Sequence, residues 1–262
     1  MSAPFVREAG AGSAVVCLHA NASSSSQWRS LMESLAPRHR VLAPDSYGCG
    51  KSPDWPSDRE IALADEVAFI EPVLAKAAPY VLVGHSYGGA IALRAAVSNP
   101  ARVRALALYE PTLFALIEAE GPSPNAADGI RNTVAASSLE LDAGNLDGAA
   151  ERFIDYWMGA GAWAATPAER KPAIAASVRN IRRWKHALFT EPTPLEAFRA
   201  LDVPVLLMTG ARSTASARGV ARILRGALPR LQAVEFPELG HMGPVTHPER
   251  VNEAIAAFLA RL

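Results

Sequence analysis

The sequence predicts an α/β fold: a mostly parallel central sheet flanked by helices, with an inserted helical segment. Three observations carry this. Apolar runs of strand length alternate with amphipathic helical patterns along most of the chain. The runs are apolar at consecutive positions, as in strands covered on both faces. One interval, between Glu110 and Val203, breaks the rhythm with helical patterns and no strand.

The strand candidates are "SAVVCLHA" (13–20), "RVLAPD" (40–45), "YVLVGHS" (80–86), "VRALALYE" (103–110), "VPVLLMTG" (203–210) and "LQAVEFPE" (231–238). Between them lie "QWRSLMESLA", "DEVAFIEPVLAKA" with Pro72 as a kink site, "GGAIALRAAVSNP", "ARGVARILRGAL" and the terminal "HPERVNEAIAAFLARL", each with apolar residues at helical spacing. In the irregular interval, "NLDGAAERFIDYW" and "PAERKPAIAASVRNIRRWKHALF" are amphipathic helical patterns joined by Pro/Gly-rich turns. An inserted helical cap over 112–198 is therefore expected, on a core made of 1–111 and 199–262.

Composition narrows the function classes. The chain has 262 residues, half of them apolar, with 26 basic and 26 acidic side chains, so no large basic field exists to hold nucleic acid or an anionic membrane surface. "MSAPFVREAG" lacks a signal-peptide core, and no run approaches the roughly 20 apolar residues of a membrane span, so a cytoplasmic location is expected. Cys17 and Cys49 are too few for a disulfide framework and form no metal cluster with the six histidines. No nicotinamide or flavin fingerprint occurs, so no cofactor or metal is expected. "GCGKS" ends like a phosphate-binding loop, but Asp45 stands where that pattern needs glycine, and the two prolines of "PDWPSDRE" follow instead of a helix start. The expected partner is a small-molecule substrate, and the expected state a monomer or small homo-oligomer.

The strongest chemical signal is "LVGHSYGGAIAL", in which Gly84, Ser86 and Gly88 have G-x-S-x-G spacing between a strand and a helix. The glycines permit a sharp turn that lifts the serine over the end of the sheet. A serine hydroxyl becomes a useful nucleophile only when a base removes its proton. His241, in "ELGHMGPVTHPERV", follows the last strand and is the candidate base. His85 is placed to scaffold the turn, His247 to start the final helix, and His39 and His186 to serve surface or structural roles.

These segments, with "LHAN" (18–21), "APDSYGCGKS" (43–52), "GHSYGG" (84–89), "LYEP" (108–111) and "GHMGP" (240–244), resemble an α/β-hydrolase fold enzyme with a helical cap, from Ala14 to the C-terminus. The resemblance implies an oxyanion hole made of the backbone N–H groups of Asn21 and Tyr87. It also implies that the "APDSYGCG" loop lines the site from one side. Two departures stand out. The usual His-Gly is His19-Ala20 here, and the position that usually carries the triad acid, three residues after the glycine of "VPVLLMTG", is Ser213. Some members place the acid after the preceding strand, which here offers Glu110, the first choice. Asp45, better suited to organising its loop, and an acid-free dyad with Ser213 or water orienting His241 remain open.

The candidate substrate contacts are Ala20, Trp28, Trp157, Trp163 and Met242, with most other cap aromatics packing the cap onto the core. An apolar or aromatic group is expected in the pocket. The resulting expectation is a serine hydrolase that cleaves a small carboxylic ester through an acyl-enzyme, with Ser86 as nucleophile, His241 as base and Glu110 as orienting acid. C–C bond hydrolysis, another cofactor-free reaction on the same scaffold, or a slow or non-catalytic ligand-binding receptor are the alternatives. Serine rather than aspartate at position 86 disfavours dehalogenase and epoxide hydrolase chemistry.

Overall fold

The computed structural model describes residues 3–262; the first two residues of the N-terminal stretch lie outside the described residues. Seven strands form one sheet: β1 (Val6–Ala9), β2 (Ser13–Leu18), β3 (His39–Pro44), β4 (Tyr80–His85), β5 (Val103–Tyr109), β6 (Val205–Gly210) and β7 (Leu231–Phe236). Their spatial order is β1-β3-β2-β4-β5-β6-β7. All neighbours are parallel except β1, which pairs antiparallel with β3 through Val6↔Pro44 and Ala9↔Val41. The six expected strands are present within one or two residues of their sequence limits; β1 was not foreseen. Its residues, "VREA", are half-exposed, with two adjacent charged residues, Arg7 and Glu8, at the centre, the pattern of an edge strand with little core signal.

Strand periodicity explains the two layers. On β4, Tyr80 and Leu82 enter one core, while Val81 and Val83 enter the other. On β6, Val205 and Leu207 face the first and Leu206 and Met208 the second. Both faces are thus covered, as parallel sheets require. The second core is closed by α1 (Arg29–Leu35), preceded by a short 3₁₀ turn at Ser25–Trp28, and by the C-terminal helix Pro248–Leu259. The first is closed by α2 (Leu63–Ala77), which contains Pro72, and α3 (Tyr87–Ser98).

Seven helices stand between β5 and β6: α4 (Ala115–Glu120), α5 (Asp128–Asp142), α6 (Leu146–Met158), α7 (Ala162–Ala165), α8 (Lys171–Val178), α9 (Ile181–Phe189) and α10 (Leu195–Arg199). The amphipathic stretch read over 167–189 is two helices, not one. The break falls at Arg179 and Asn180, where Asn180 Nδ2 donates to the carbonyl oxygen of Gly48 at 3.3 Å. Two further helices, α11 (Ala215–Ala227) and α12 (Gly243–Thr246), precede the terminal α13 (Pro248–Leu259). Thr214 caps α11 by accepting from Ala217 N–H.

Strand order fixes where a ligand can sit. From β2 the chain crosses to β3 on one side, and β4 lies on the other, so the loops leaving β2 and β4 diverge at the carboxyl edge of the sheet. This divergence opens the crevice in which open α/β sheets hold ligands.

One buried group sets a pH dependence. Glu66 on α2 is 1 % exposed, and it accepts hydrogen bonds from Tyr47 N–H at 3.3 Å and Tyr87 Oη at 3.1 Å. Burial outweighs both bonds and pushes its carboxyl up to about 7, with Asp65 adding in the same direction. An unfolded glutamate titrates near about 4.3. The folded state therefore holds this proton more tightly, and the associated stability, present below the unfolded value, is lost as pH rises through about 7. Glu66→Gln, which cannot ionise, is expected to gain in Tm relative to the wild type between pH 5 and pH 8. A Tm difference that is flat over that range would show that Glu66 ionises as readily folded as unfolded.

Candidate active site

Ser86 sits at the junction of β4 and α3 with φ 55° and ψ −117°, a conformation unusual for a residue with a Cβ. Its neighbours make the turn possible. A Cβ on Gly84 would lie 2.7 Å from the Gly88 carbonyl oxygen, and one on Gly88 would collide with the carbonyl oxygen of Leu18. The backbone holds the turn from both sides: Ser86 N–H donates to Tyr109 O at 3.0 Å, and Ser86 O accepts from Thr112 N–H at 3.3 Å. Ser86 Oγ is thereby fixed at the carboxyl edge of the sheet.

His241, in the loop between β7 and α12, presents Nε2 at 2.9 Å from Ser86 Oγ. Its Nδ1 lies 2.7 Å from Glu110 Oε2. Glu110 follows β5, is fully buried, and adopts φ 44°. Its other oxygen, Oε1, accepts from Gly210 N–H at 2.7 Å, so the carboxylate is tied to the end of β6 as well as to the histidine. With Glu110 accepting from Nδ1–H, Nε2 is left free to accept from the serine hydroxyl, the tautomer a general base needs. Trp157 of α6 stacks on the imidazole, with ring centroids 3.9 Å apart and planes 25° apart, and so restrains its orientation.

The loop after β2 is pinned by hydrogen bonds of fixed direction. Ser46 N–H donates to His19 Nε2 at 3.1 Å, so the proton of neutral His19 is on Nδ1, which donates to Ala20 O at 2.7 Å. Burial lowers the pKa of His19 and favours this neutral form. Ala20 O and Asn21 N–H belong to one planar trans peptide and point in opposite directions. The Asn21 N–H therefore faces away from His19. Gly88 N–H donates to His19 O at 3.1 Å, which holds this loop against the start of α3, whose first residue is Tyr87.

The other candidate acids take no part. Asp45 Oδ1 accepts from Ser25 N–H at 2.5 Å and Oδ2 from Lys51 N–H at 2.9 Å; it organises its loop. Ser213 Oγ is buried without a hydrogen-bond partner and does not orient His241. Burial pushes the thiols of Cys17 and Cys49 up, so both stay protonated.

A cavity of about 560 Å³ opens over Ser86 and His241. Ala20, Trp157 and Met242 line it, as the sequence suggested, but two expected contacts do not. Trp28 is 1 % exposed and packs in the core beside α1, on the far side of the sheet. Trp163 is 2 % exposed, its ring covered by the Lys171 ammonium at 5.0 Å. The Tyr87 side chain does not reach the cavity, since its ring is buried and its hydroxyl donates to Glu66. The "APDSYGCG" loop does not line the cavity either; it lies behind the β2 loop, which it supports through Ser46 and Asp45. Phe153, one of the cap aromatics, also faces the cavity, and so do Ile154 and Met158, neighbours of Trp157 on α6 that the sequence pattern alone did not single out. Thr112, which no sequence signal marks, and the aromatic Phe114 border, with Asn21 and Ser86, a second pocket of about 20 Å³ beside the nucleophile.

With this geometry in place, comparison with known proteins adds three findings. The family model of the alpha/beta hydrolase fold matches residues 13–248. A pimeloyl-[acyl-carrier protein] methyl ester esterase of Chromobacterium violaceum is 30% identical over 97% of both chains, and a 2-hydroxymuconate semialdehyde hydrolase of Pseudomonas sp. is 26% identical over 97% of this chain and 89% of its own. Among solved structures, a thermophilic esterase from Thermogutta terrifontis superposes with TM-score 0.77 at 23% identity over 98% of this chain and 93% of its own, and a hydrolase from Oleispira antarctica with 0.81 at 18% over 100% and 96%.

Asp45→Asn separates the loop-organising role from that of an acid. It weakens charge-assisted bonds worth about 1.5–3 kcal/mol. The expected result is a Tm lowered by several degrees with ester kcat/KM within about tenfold of wild type. A loss near 10⁴ with unchanged Tm would make Asp45 the histidine's partner instead.

Proposed function

The chain belongs to the α/β-hydrolase fold family, and on that premise we propose that it is a serine hydrolase of carboxylic esters acting through an acyl-enzyme. The observation that carries this reading is the unbroken chain from Ser86 Oγ through His241 to Glu110, at 2.9 and 2.7 Å. In the first half-reaction Ser86 Oγ attacks the ester carbonyl carbon while His241 Nε2 takes its proton. The oxyanion is received by the backbone N–H groups of Asn21 and Tyr87. Collapse breaks the C–O bond, and His241 delivers the proton to the leaving alcohol. In the second half-reaction His241 deprotonates a water that attacks the acyl-enzyme, and the carboxylic acid leaves as Ser86 recovers its proton. Glu110, bonded to His241 Nδ1, orients the ring and stabilises the imidazolium in both.

The helices between β5 and β6 act as the cap and shape the substrate. Ile154, Trp157, Met158 and Ile174 supply an apolar wall to the 560 Å³ cavity, while the pocket on the other side of Ser86 measures only about 20 Å³. A single water needs about 10–15 Å³ by the same kind of measure. The favoured ester is therefore lopsided, with an apolar or aromatic group on one side of the carboxyl and a group near the size of methyl on the other. The methyl ester named for the Chromobacterium relative fits that shape. C–C bond hydrolysis is the second reading, supported by the 2-hydroxymuconate semialdehyde hydrolase relative. The receptor alternative rested on the missing acid at Ser213, and a carboxylate does reach His241.

Stopped-flow hydrolysis of a short-chain p-nitrophenyl ester, with intact-mass analysis of quenched protein, tests the proposal. An initial burst and a mass increase of one acyl group on Ser86 are expected, both absent in Ser86→Ala. Equal turnover by wild type and Ser86→Ala over a broad ester panel would overturn it.

A further inference from the structure

A chain of three hydrogen bonds joins the loop after β2 to the loop after β7, and it begins and ends on main chain. Ala20 N–H donates to Gln27 Oε1 at 3.1 Å. Gln27 Nε2 lies 3.1 Å from His85 Nδ1. His85 Nε2 lies 2.8 Å from the carbonyl oxygen of His241. The direction of every link is fixed from both ends. A backbone N–H can only donate, so Gln27 must turn its oxygen to Ala20 and its amide nitrogen to His85. A carbonyl can only accept, so His85 must carry its proton on Nε2 and accept on Nδ1. One neutral tautomer satisfies all three bonds, and neither the other tautomer nor the imidazolium does.

The surroundings of His85 suit that state. It is fully buried. The titratable groups facing it are His241, with ring centroids 5.2 Å apart, Tyr109, edge-on at 5.6 Å, and His19. Burial and the histidine neighbours hold its pKa well below the ordinary histidine value. The Tyr109 hydroxyl meanwhile donates to Gly240 O at 2.8 Å, so the segment carrying His241 is tied by two buried side chains.

We propose that Gln27 is a positioning residue that couples the Asn21 oxyanion donor to the His241 base through neutral His85. Both backbone polar groups of Ala20 are engaged, its N–H by Gln27 and its C=O by His19. The His19 bond holds the peptide that bears the Asn21 N–H, the Gln27 bond holds the peptide plane just before it, and the two together restrain the backbone torsions of Ala20 that would turn the donor; the same glutamine, acting through His85, sets the carbonyl of His241. The alanine at position 20 brings no hydrogen-bonding side chain, so the orientation of this donor depends on those two backbone bonds. The role rests on the hydrolase reading above, in which Asn21 and His241 act on one carbonyl. An oxyanion donor works only when it reaches the developing charge at about 2.7–3.1 Å, and removing one outright costs about 10²–10³ in kcat. Displacing one is expected to cost less, and in kcat rather than KM, because the interaction is made mainly in the transition state.

Two measurements test this. Gln27→Met keeps the length of the side chain and removes both hydrogen bonds; it is expected to lower ester kcat about tenfold with KM within about twofold. Gln27→Glu can still accept from Ala20 N–H but cannot donate to His85, so His85 is expected to take a proton on Nδ1. Nitrogen-resolved NMR of the histidine rings reads this without any turnover. Wild type is expected to show His85 neutral with its proton on Nε2 from pH 5.5 to 8, and Gln27→Glu to show an Nδ1 proton. A wild-type His85 protonated on Nδ1 would overturn the proposal, even if Gln27→Met failed to fold. So would a folded Gln27→Met with kcat within twofold of wild type. A wild type without ester turnover would instead overturn the hydrolase reading, while the NMR result would still decide the state of the hydrogen-bonded chain.

Discussion

A carboxylate taken fully out of water is tolerated only where its oxygens find donors, and Glu110 is such a carboxylate. Its two partners are Gly210 N–H, at the end of β6, and His241 Nδ1, after β7. Both must be in place before the charge can be buried, so the ends of three adjacent strands close together or not at all. Gly210 serves this closure in a second way: a Cβ there would meet the Leu239 carbonyl, in the segment leading to His241. The glutamate also takes over the orienting position beside the histidine. The loop after β6 is thereby relieved of supplying an acid, and Ser213 stands in it with an unengaged hydroxyl.

Backbone strain collects at the same edge of the sheet. Among the described residues, the non-glycine residues with positive φ are Ala22, Ser86 and Glu110, one each in the segments that follow β2, β4 and β5. Such conformations cost on the order of 1–3 kcal/mol apiece and persist where the surroundings dictate them. Here the surroundings are hydrogen bonds between loops distant in sequence: Thr112 to Ser86, Gly88 to His19, Glu110 to Met208. The site is held by the sheet edge, and the helices between β5 and β6 add the walls, with Trp157 reaching back to stack on His241.

What could be read from sequence follows from how local each signal is. The strand runs and the glycine-framed Ser86 are encoded within a dozen residues, and His241 by its place after the last strand. Glu110 was reached through the family resemblance and the lack of an acid at Ser213; no local pattern marks it, because its partners lie 100 and 131 residues away. Trp28 and Trp163 belong to the core and not to the pocket, a difference that helical spacing does not encode, since it does not say which apolar face meets a cavity. The short edge strand β1 escaped because its charged, half-exposed residues resemble a loop. Gln27 carried no signal, since its meaning lies in bonds to Ala20 and to His85, 58 positions on.

The central claim is that Glu110 supplies the charge that the loop after β6 lacks. Measuring ester kcat/KM for Glu110→Gln beside wild type tests it most directly, because the amide keeps the shape and removes the charge. A fall of about 10⁴, the size seen when the orienting acid of a serine enzyme is converted to its amide, is the predicted result. Activity within tenfold of wild type in a folded Glu110→Gln protein would contradict the account.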